Sequence, residues 1–471
     1  MRKLGLLLLI ALFVLALPAA AQDEEMGLPD FIQHTECEVD LTGEEITIYH
    51  IGDISSAGYS PITLPLVAAL NDAIAYYNAH GGICGATLTQ ENRDTGGDPT
   101  QTQAAYDAYS TLDPKPDLLV LYSSQDSEQL RTQLINDEIP VLISAGSIIG
   151  LYGEAGDDPG WTFQTNPLYA DQFATFCDYV SNNMDQFESP AIGYMGWGAP
   201  AAAFGSAGFT EESTAYCESL GIDVVDTPEA FSPIATDVSG QVENLLDAGA
   251  NIIYVNALAT GPVRVAEALE FLGESDNVQL ASVNWGMDSS AALVARNSLG
   301  ADGLPVIDGM IGSLPFSWWT ETNLPGIQLV MEQAEANERP ASVRGITYLL
   351  GWILVDTYAE LYIQTANRVG NLEDITGADI KETLEGINYE PLGGLSTLNF
   401  EEGSRAVNEN RIVQLRFANA SMDGIASSGD DALKVPLDDG TNFYPPVIVP
   451  LTDFVEAPNM RPGMMESEDE G

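Results

Sequence analysis

Between residues 46 and 283 the chain alternates short β-rich runs with helical ones, and this alternation limits the folds open to it. Ile46 to Ile51 is β-rich and ends in the loop Gly52-Asp53-Ile54-Ser55-Ser56-Ala57-Gly58-Tyr59. Ser60 suits a helix cap and Pro61 the first helical position. Ile62, Leu66, Ala69, Leu70, Ala73, Ile74 and Tyr77 then recur at helical spacing, and Gly81-Gly82 ends the run. The unit repeats as strand 86–91, helix 99–111, strand 117–122, helix 126–137 and strand 140–144. Such βαβ order predicts a parallel sheet with helices on both faces.

A second series follows: strand 190–195, helix 203–220, strand 222–227, helix 236–249, strand 251–255, helix 260–272 and strand 278–283. The stretch Gly160 to Pro167 between the two series reads as an extended crossover. Helices near 322–337 and 342–366, then β-rich runs at 395–400 and 411–417, do not extend one continuous domain. They fit a chain that crosses between two α/β lobes more than once. The tail from 421 is rich in Pro, Asp and Gly, and its end, Met465 to Gly471, is expected to fray.

Charge excludes whole classes of partner. Lys and Arg number 16 against 70 Asp and Glu, a formal charge of -54. Such a surface repels nucleic acid and anionic lipid. Lysine is confined to Lys3, Lys115, Lys381 and Lys434, which suits a salty medium and equally an acidic exported protein.

Met1-Arg2-Lys3, the apolar run Leu4 to Leu17, Pro18 and Ala19-Ala20-Ala21 have the order of an export signal with its cleavage site. The apolar run is shorter than the roughly 20 residues of a bilayer span, and no cysteine follows the site to carry a lipid. The protein is therefore expected at the periplasm or the outer face of the membrane. An oxidising compartment permits disulfides among Cys37, Cys84, Cys177 and Cys217. Three pairings are open; nearest neighbours, Cys37–Cys84 and Cys177–Cys217, are expected. The first ties the acidic arm to the loop His80 to Gly85, the second links two helices flanking one strand. No CxxC or Cys/His spacing marks a metal site, and no cofactor is expected.

In open parallel sheets, ligands sit beyond the carboxyl ends of the strands. That rule selects Ser55 to Tyr59, then Tyr122-Ser123-Ser124-Gln125, and Ser144-Ala145-Gly146-Ser147 in the first series. In the second it selects Met195-Gly196-Trp197-Gly198, Asn256-Ala257-Leu258-Ala259 and Asn284-Trp285-Gly286-Met287-Asp288. The first set is small and hydroxyl-rich, and each loop leads into a helix whose free N–H groups favour an anion. The second set adds Trp197, Trp285 and nearby Phe204 to cover an apolar body. Each feature also has a plain structural role: serines in turns, tryptophans in packing, Asp288 as a helix cap.

The run Ile46 to Gly52, the Gly58-Tyr59-Ser60 loop end and Asn78 to Gly85 resemble the start of the leucine/isoleucine/valine-binding family, the periplasmic solute-binding proteins of ABC transporters. Arg93-Asp94-Thr95, Asp98-Pro99 and Ile139 to Ser147 extend the resemblance, which covers roughly residues 45–420. It implies a type I periplasmic-binding fold: two α/β lobes, each a parallel sheet flanked by helices, joined by three crossovers. The implied division is a signal (1–21), an acidic arm (22–44), first-lobe segments at 45–164 and 313–392, second-lobe segments at 165–312 and 393–420, and an extension at 421–471. In the family, first-lobe hydroxyls and N–H groups take a ligand carboxylate; the matching positions are Ser124 or Gln125, Ala145, Gly146 and Ser147. Phe204 or Trp197 stands where an aromatic contacts the ligand. The place of the carboxylate that holds an α-ammonium reads Asn284-Trp285-Gly286, with Asp288 the nearest acid.

The implied function is capture of a small polar solute (an amino acid, amide or related carboxylate) by hinge closure, by a monomer that docks on an ABC permease. A receptor that signals to a membrane partner fits the same sequence. An exported hydrolase fits less well: there is no G-x-S-x-G, no HExxH, and no histidine near a serine-rich loop. A paired-carboxylate mechanism has no motif by which to test it.

Overall fold

The computed structural model describes residues 27–464 other than Glu188. The export signal and the acidic end Met465 to Gly471 lie outside the described residues. Two sheets organise the chain. The first has five strands in the order Thr87–Asp94, Glu45–Gly52, Leu119–Leu121, Val141–Ile143 and Thr162–Gln164. All its pairings are parallel. Thr162–Gln164 lies inside the stretch read as a crossover: it serves as the edge strand first, and the chain crosses after it.

Helix Ser60–Ala79 buries the predicted stripe of Ile62, Leu66, Ala69, Leu70, Ala73, Ile74 and Tyr77. It packs on Ile346–Val369, a helix buried over most of its circumference. The two approach so closely that a Cβ on Gly351 would stand 2.5 Å from that of Ala69. At the far end of this contact Asp356 accepts bonds from His34 Nε2 (2.7 Å), Tyr389 Oη (2.7 Å), the Leu392 N–H (2.6 Å) and Tyr77 Oη. His34 belongs to the N-terminal arm, which the Cys37–Cys84 disulfide also fastens to the first lobe. Closing such a loop is worth about 2–4 kcal/mol.

The second sheet runs Pro446–Pro450, Ile412–Phe417, Ile311–Ser313, Gln279–Ser282, Ile252–Asn256, Ala191–Trp197 and Asp223–Val224, with Glu229–Phe231 also on Ala191–Trp197. Its first two strands pair antiparallel, so this sheet is mixed where a parallel one was expected. The antiparallel edge has a chain-order cause. Ile412–Phe417 returns late from the other lobe, and a hairpin-like return adds a strand without a covering helix. Cys177–Cys217 joins helices Tyr169–Asn182 and Glu211–Ser219.

The single helix read at 203–220 is two, Ala202–Gly205 and Glu211–Ser219. Gly205 packs backbone to backbone, leaving a Cβ only 1.9 Å from the Trp197 carbonyl oxygen, and Thr210 opens a new helix with a capping box to Ser213.

The crossovers lie side by side. Gln164 N–H donates to Arg405 O (2.7 Å), Val407 N–H to Gln164 O (3.2 Å) and Leu314 N–H to Arg411 O (2.9 Å). Leu398–Asn399 pairs with Asn388–Tyr389, and Phe400 packs on Phe163 of the first sheet. The chain thus still lies on the first sheet at Phe400, and Ile412–Phe417 lies in the second. Among the described residues no helix is long and apolar enough to cross a membrane.

Candidate functional site

The strand-end loops of the two sheets meet face to face, and rings make the contact. Tyr59 lies 5.7 Å from Trp197 and 6.2 Å from Tyr122 between centroids; Tyr122 lies 5.7 Å from Trp285. Tyr169 and Phe204 stand 5.0 Å apart, and Trp197 meets Phe204 edge-on at 5.9 Å. Trp285 Nε1 donates to Tyr169 Oη at 2.9 Å. These separations are those of favourable aromatic pairs, each worth about 0.5–1.5 kcal/mol beyond area burial.

The rings enclose a gap of ≈ 10 Å³ that Ser123, Ser124, Ala145 and Leu258 also line. That is room for about one water. Two polar groups among these rings, Tyr122 Oη and Trp197 Nε1, are buried without a hydrogen-bond partner among the described residues, as is the side-chain amide of Asn284 beside Trp285.

A chamber of ≈ 240 Å³ adjoins the gap, sharing Tyr59 and Ser123 with it. First-lobe residues Asp53, Ser56, Thr95, Thr102, Gln125 and Asp126 form one wall; Pro200, Ala201 and Ser232 to Ile234 form the other. Asp53 accepts from the Ser56 N–H (3.0 Å) and hydroxyl (2.5 Å), and Asp126 from Thr102 Oγ1 (2.8 Å). Burial pushes the Asp126 carboxyl up to about 6; Asp53 adds to the rise, and Thr102 and Ser123 oppose it. Burial, and then the charges of Asp126 and Asp53, push the Tyr59 phenol well above its ordinary range.

Of the residues expected at the site, Tyr59, Ser123, Ser124, Gln125, Ala145, Phe204 and Leu258 line the gap or the chamber. Trp197 and Trp285 stand behind them as ring partners. The others hold the fold. Ser147 caps helix Ile148–Tyr152 through the Gly150 N–H (3.1 Å) and donates to Glu128 Oε1 (2.5 Å). The Gly146 N–H is spent on Gln164 Oε1 (2.6 Å). Asp288 caps helix Ser289–Val294 through the Ser290 N–H (3.0 Å) and accepts from the Ile346 N–H (2.6 Å) with its other oxygen. The Asn284 N–H donates to Gln172 Oε1 (3.2 Å). Ala257 is buried and lines neither space.

Sequence reasoning missed Tyr169, which opens a helix it had not delimited. It also missed Asp53 and Thr95, although both follow first-sheet strands and the strand-end rule covers them.

Residues 45–421 match the model of the family described as Periplasmic binding protein. The chain belongs to the periplasmic binding protein family. No curated protein matches its sequence. Among solved structures, a branched chain amino acid ABC transporter protein from Thermus thermophilus with bound valine superposes with a TM-score of 0.67 at 17% identity, covering 88% of this chain and 98% of that one. A fatty acid ABC transporter substrate-binding protein from Thermomonospora curvata gives 0.65 at 15%, covering 90% and 95%. A solute-binding protein of an ABC transporter from Rhodopseudomonas palustris, in complex with 4-hydroxybenzoate, gives 0.65 at 12%, covering 90% and 100%. At these identities the likeness is one of fold, and this periplasmic binding protein shares its two-lobed plan with all three.

Proposed function

We propose that this periplasmic binding protein is an exported receptor that captures a small solute between its lobes and delivers it to the permease of an ABC importer. The observation that carries the reading is the meeting of rings from both lobes, Tyr59 and Tyr122 from one and Trp197, Phe204 and Trp285 from the other, over a gap beside a larger chamber. A solute that touches both walls binds the shut form better than the open one, and only such differential affinity shifts the equilibrium.

The solute has an apolar body that fits between rings, with polar groups that reach the first-lobe hydroxyls. An amide or a carboxylate with such a body fits. A free α-amino acid fits less well, because both oxygens of Asp288 are already bonded within the fold. The two disulfides agree with delivery to an oxidising compartment.

The test is a thermal-shift screen of the protein against amino acids, amides, short carboxylates and polyols, followed by small-angle scattering with the best solute. A ligand at a hundredfold excess over its dissociation constant stabilises by about 2.7 kcal/mol. The expected result is such a shift together with a smaller radius of gyration. A tight solute that leaves the scattering curve unchanged contradicts capture by closure.

A further inference from the structure

We propose that the chamber beside the aromatic gap receives an organic ammonium group, so that the captured amide or carboxylate also bears a cationic nitrogen. The inference rests on the capture reading above and names the chemistry of its ligand.

Asp53 and Asp126 are 4% and 5% exposed, and both face a space of ≈ 240 Å³. A buried carboxylate is costly unless a cation or several donors compensate it. Among the described residues neither acid has an ion-pair partner, and no Lys, Arg or His lines the chamber. The bonds that do reach them come from the Ser56 and Thr102 hydroxyls and the Ser56 N–H, all within the first lobe. By contrast Asp72, as buried as these two, is held by the Arg339 guanidinium at 2.6 and 2.7 Å.

Two further observations point to a ligand rather than to two idle acids. Tyr122 Oη, 1% exposed and without a partner, lines the adjoining gap. Tyr59 borders both spaces and adds a ring beside the acids, a surface that attracts cations. A metal ion suits the chamber poorly. Among the described residues no three His, Cys, Asp or Glu are grouped to hold one, and the space far exceeds a shell with oxygens at about 2.3–2.6 Å. An ammonium head with its carbon substituents fills it.

The experiment titrates the full chain by calorimetry with two pairs of probes: choline against dimethylbutanol, its uncharged carbon isostere, and butylammonium against pentanol. The buffer holds about 1 M salt, in which exposed charges are screened within about 3 Å. The expected result is that at least one cation binds tenfold or more tighter than its neutral partner, and that Asp126→Asn removes this preference while the melting transition stays cooperative. Asp53→Asn is the second variant, should the first fail to fold. Equal affinity within both pairs, no binding of either cation, or a preference that survives both variants overturns the ammonium assignment. Lobe closure on some other, uncharged solute would still leave the capture reading standing; failure of every solute to close the lobes would remove both.

Discussion

The seam between the lobes has two ends built on different physics. At the crossover end the contacts are directional. Backbone bonds join Gln164 to Arg405 and Val407, and Glu409–Asn410 pairs with Val455–Glu456 of the C-terminal segment. That segment then bonds Asp171 of the second lobe through the Met460 N–H (2.8 Å) and lays Arg461 over the Tyr152 ring of the first (4.3 Å). At the mouth the lobes touch through ring edges and prolines around the chamber, where the bonds made by Asp53 and Asp126 stay within the first lobe. Beside it the Asp288–Ile346 bond and one from the Ser289 hydroxyl to Arg344 O (2.9 Å) cross between the lobes. Hydrogen-bonded ladders break steeply when displaced, whereas ring contacts part without leaving a severed bond. On the capture reading proposed above, the first end pivots and the second opens.

The largest effect is expected from breaking the pivot. Arg405 is 2% exposed; its guanidinium bonds Gly160 O (2.7 Å) and Glu385 Oε1 (2.5 Å) and covers the Phe163 ring at 4.5 Å. Arg405→Ala should cost about 2 kcal/mol, the scale of losing a buried, charged hydrogen-bond donor; its partner Glu385 is half-exposed and keeps Lys381. Urea denaturation read by tryptophan fluorescence measures it. A change under 1 kcal/mol would mean that the crossovers need no pinning.

At the mouth the expected loss is of affinity. Trp285→Ala removes the ring beside Tyr122 and leaves Tyr169 Oη without its donor. Affinity for the best solute should fall at least tenfold, the scale of a buried aromatic anchor, in calorimetry on protein shown by circular dichroism to be folded. Ser147→Ala sharpens the contrast. Since Ser147 caps a helix and lines neither space, it should cost about 1 kcal/mol of stability and leave affinity as it was. A drop in affinity there would return Ser147 to the ligand, as the family resemblance implied.

How far the sequence could be read follows the same division. Elements with a repeating apolar face, such as Ile62 to Tyr77 and Ile46 to Ile51, were legible because burial imposes periodicity. Pro446–Pro450 was not, since a proline at each end reads as loop, yet an edge strand tolerates one. The second-sheet edge it forms depends on Ile412–Phe417 returning across the seam, a pairing that no local pattern encodes. At the site, the strand-end rule found the aromatic and hydroxyl loops. It could not separate a capping serine that also lines the gap, such as Ser123, from one that only caps, such as Ser147, because both follow a strand and precede a helix. Tyr169 lines the gap and bonds Trp285, more than a hundred residues away, a placement that no local pattern encodes.

The smallest expected effect compares the two ends by pH. Burial pushes the Asp171 carboxyl up to about 7 at the pivot, against the Met460 N–H and Arg461, which lower it; at the mouth burial takes Asp126 up to about 6. Each folded pKa lies above the ordinary 3.8 of the residue. Each acid therefore adds stability that is fully present below about pH 4 and lost as pH rises through 6 or 7. Asp171→Asn keeps an oxygen for the Met460 N–H but cannot ionise, so its melting temperature should exceed that of the parent protein at pH 8 and match it only below about pH 4. Asp126→Asn should act in the same direction, with its change completed about one pH unit lower. The order distinguishes the two ends: a bound ammonium solute would erase the Asp126 difference, by stabilising the ionised carboxyl, and leave that of Asp171 intact. A solute that moved both profiles equally would show that the chamber and the pivot are not electrostatically separate.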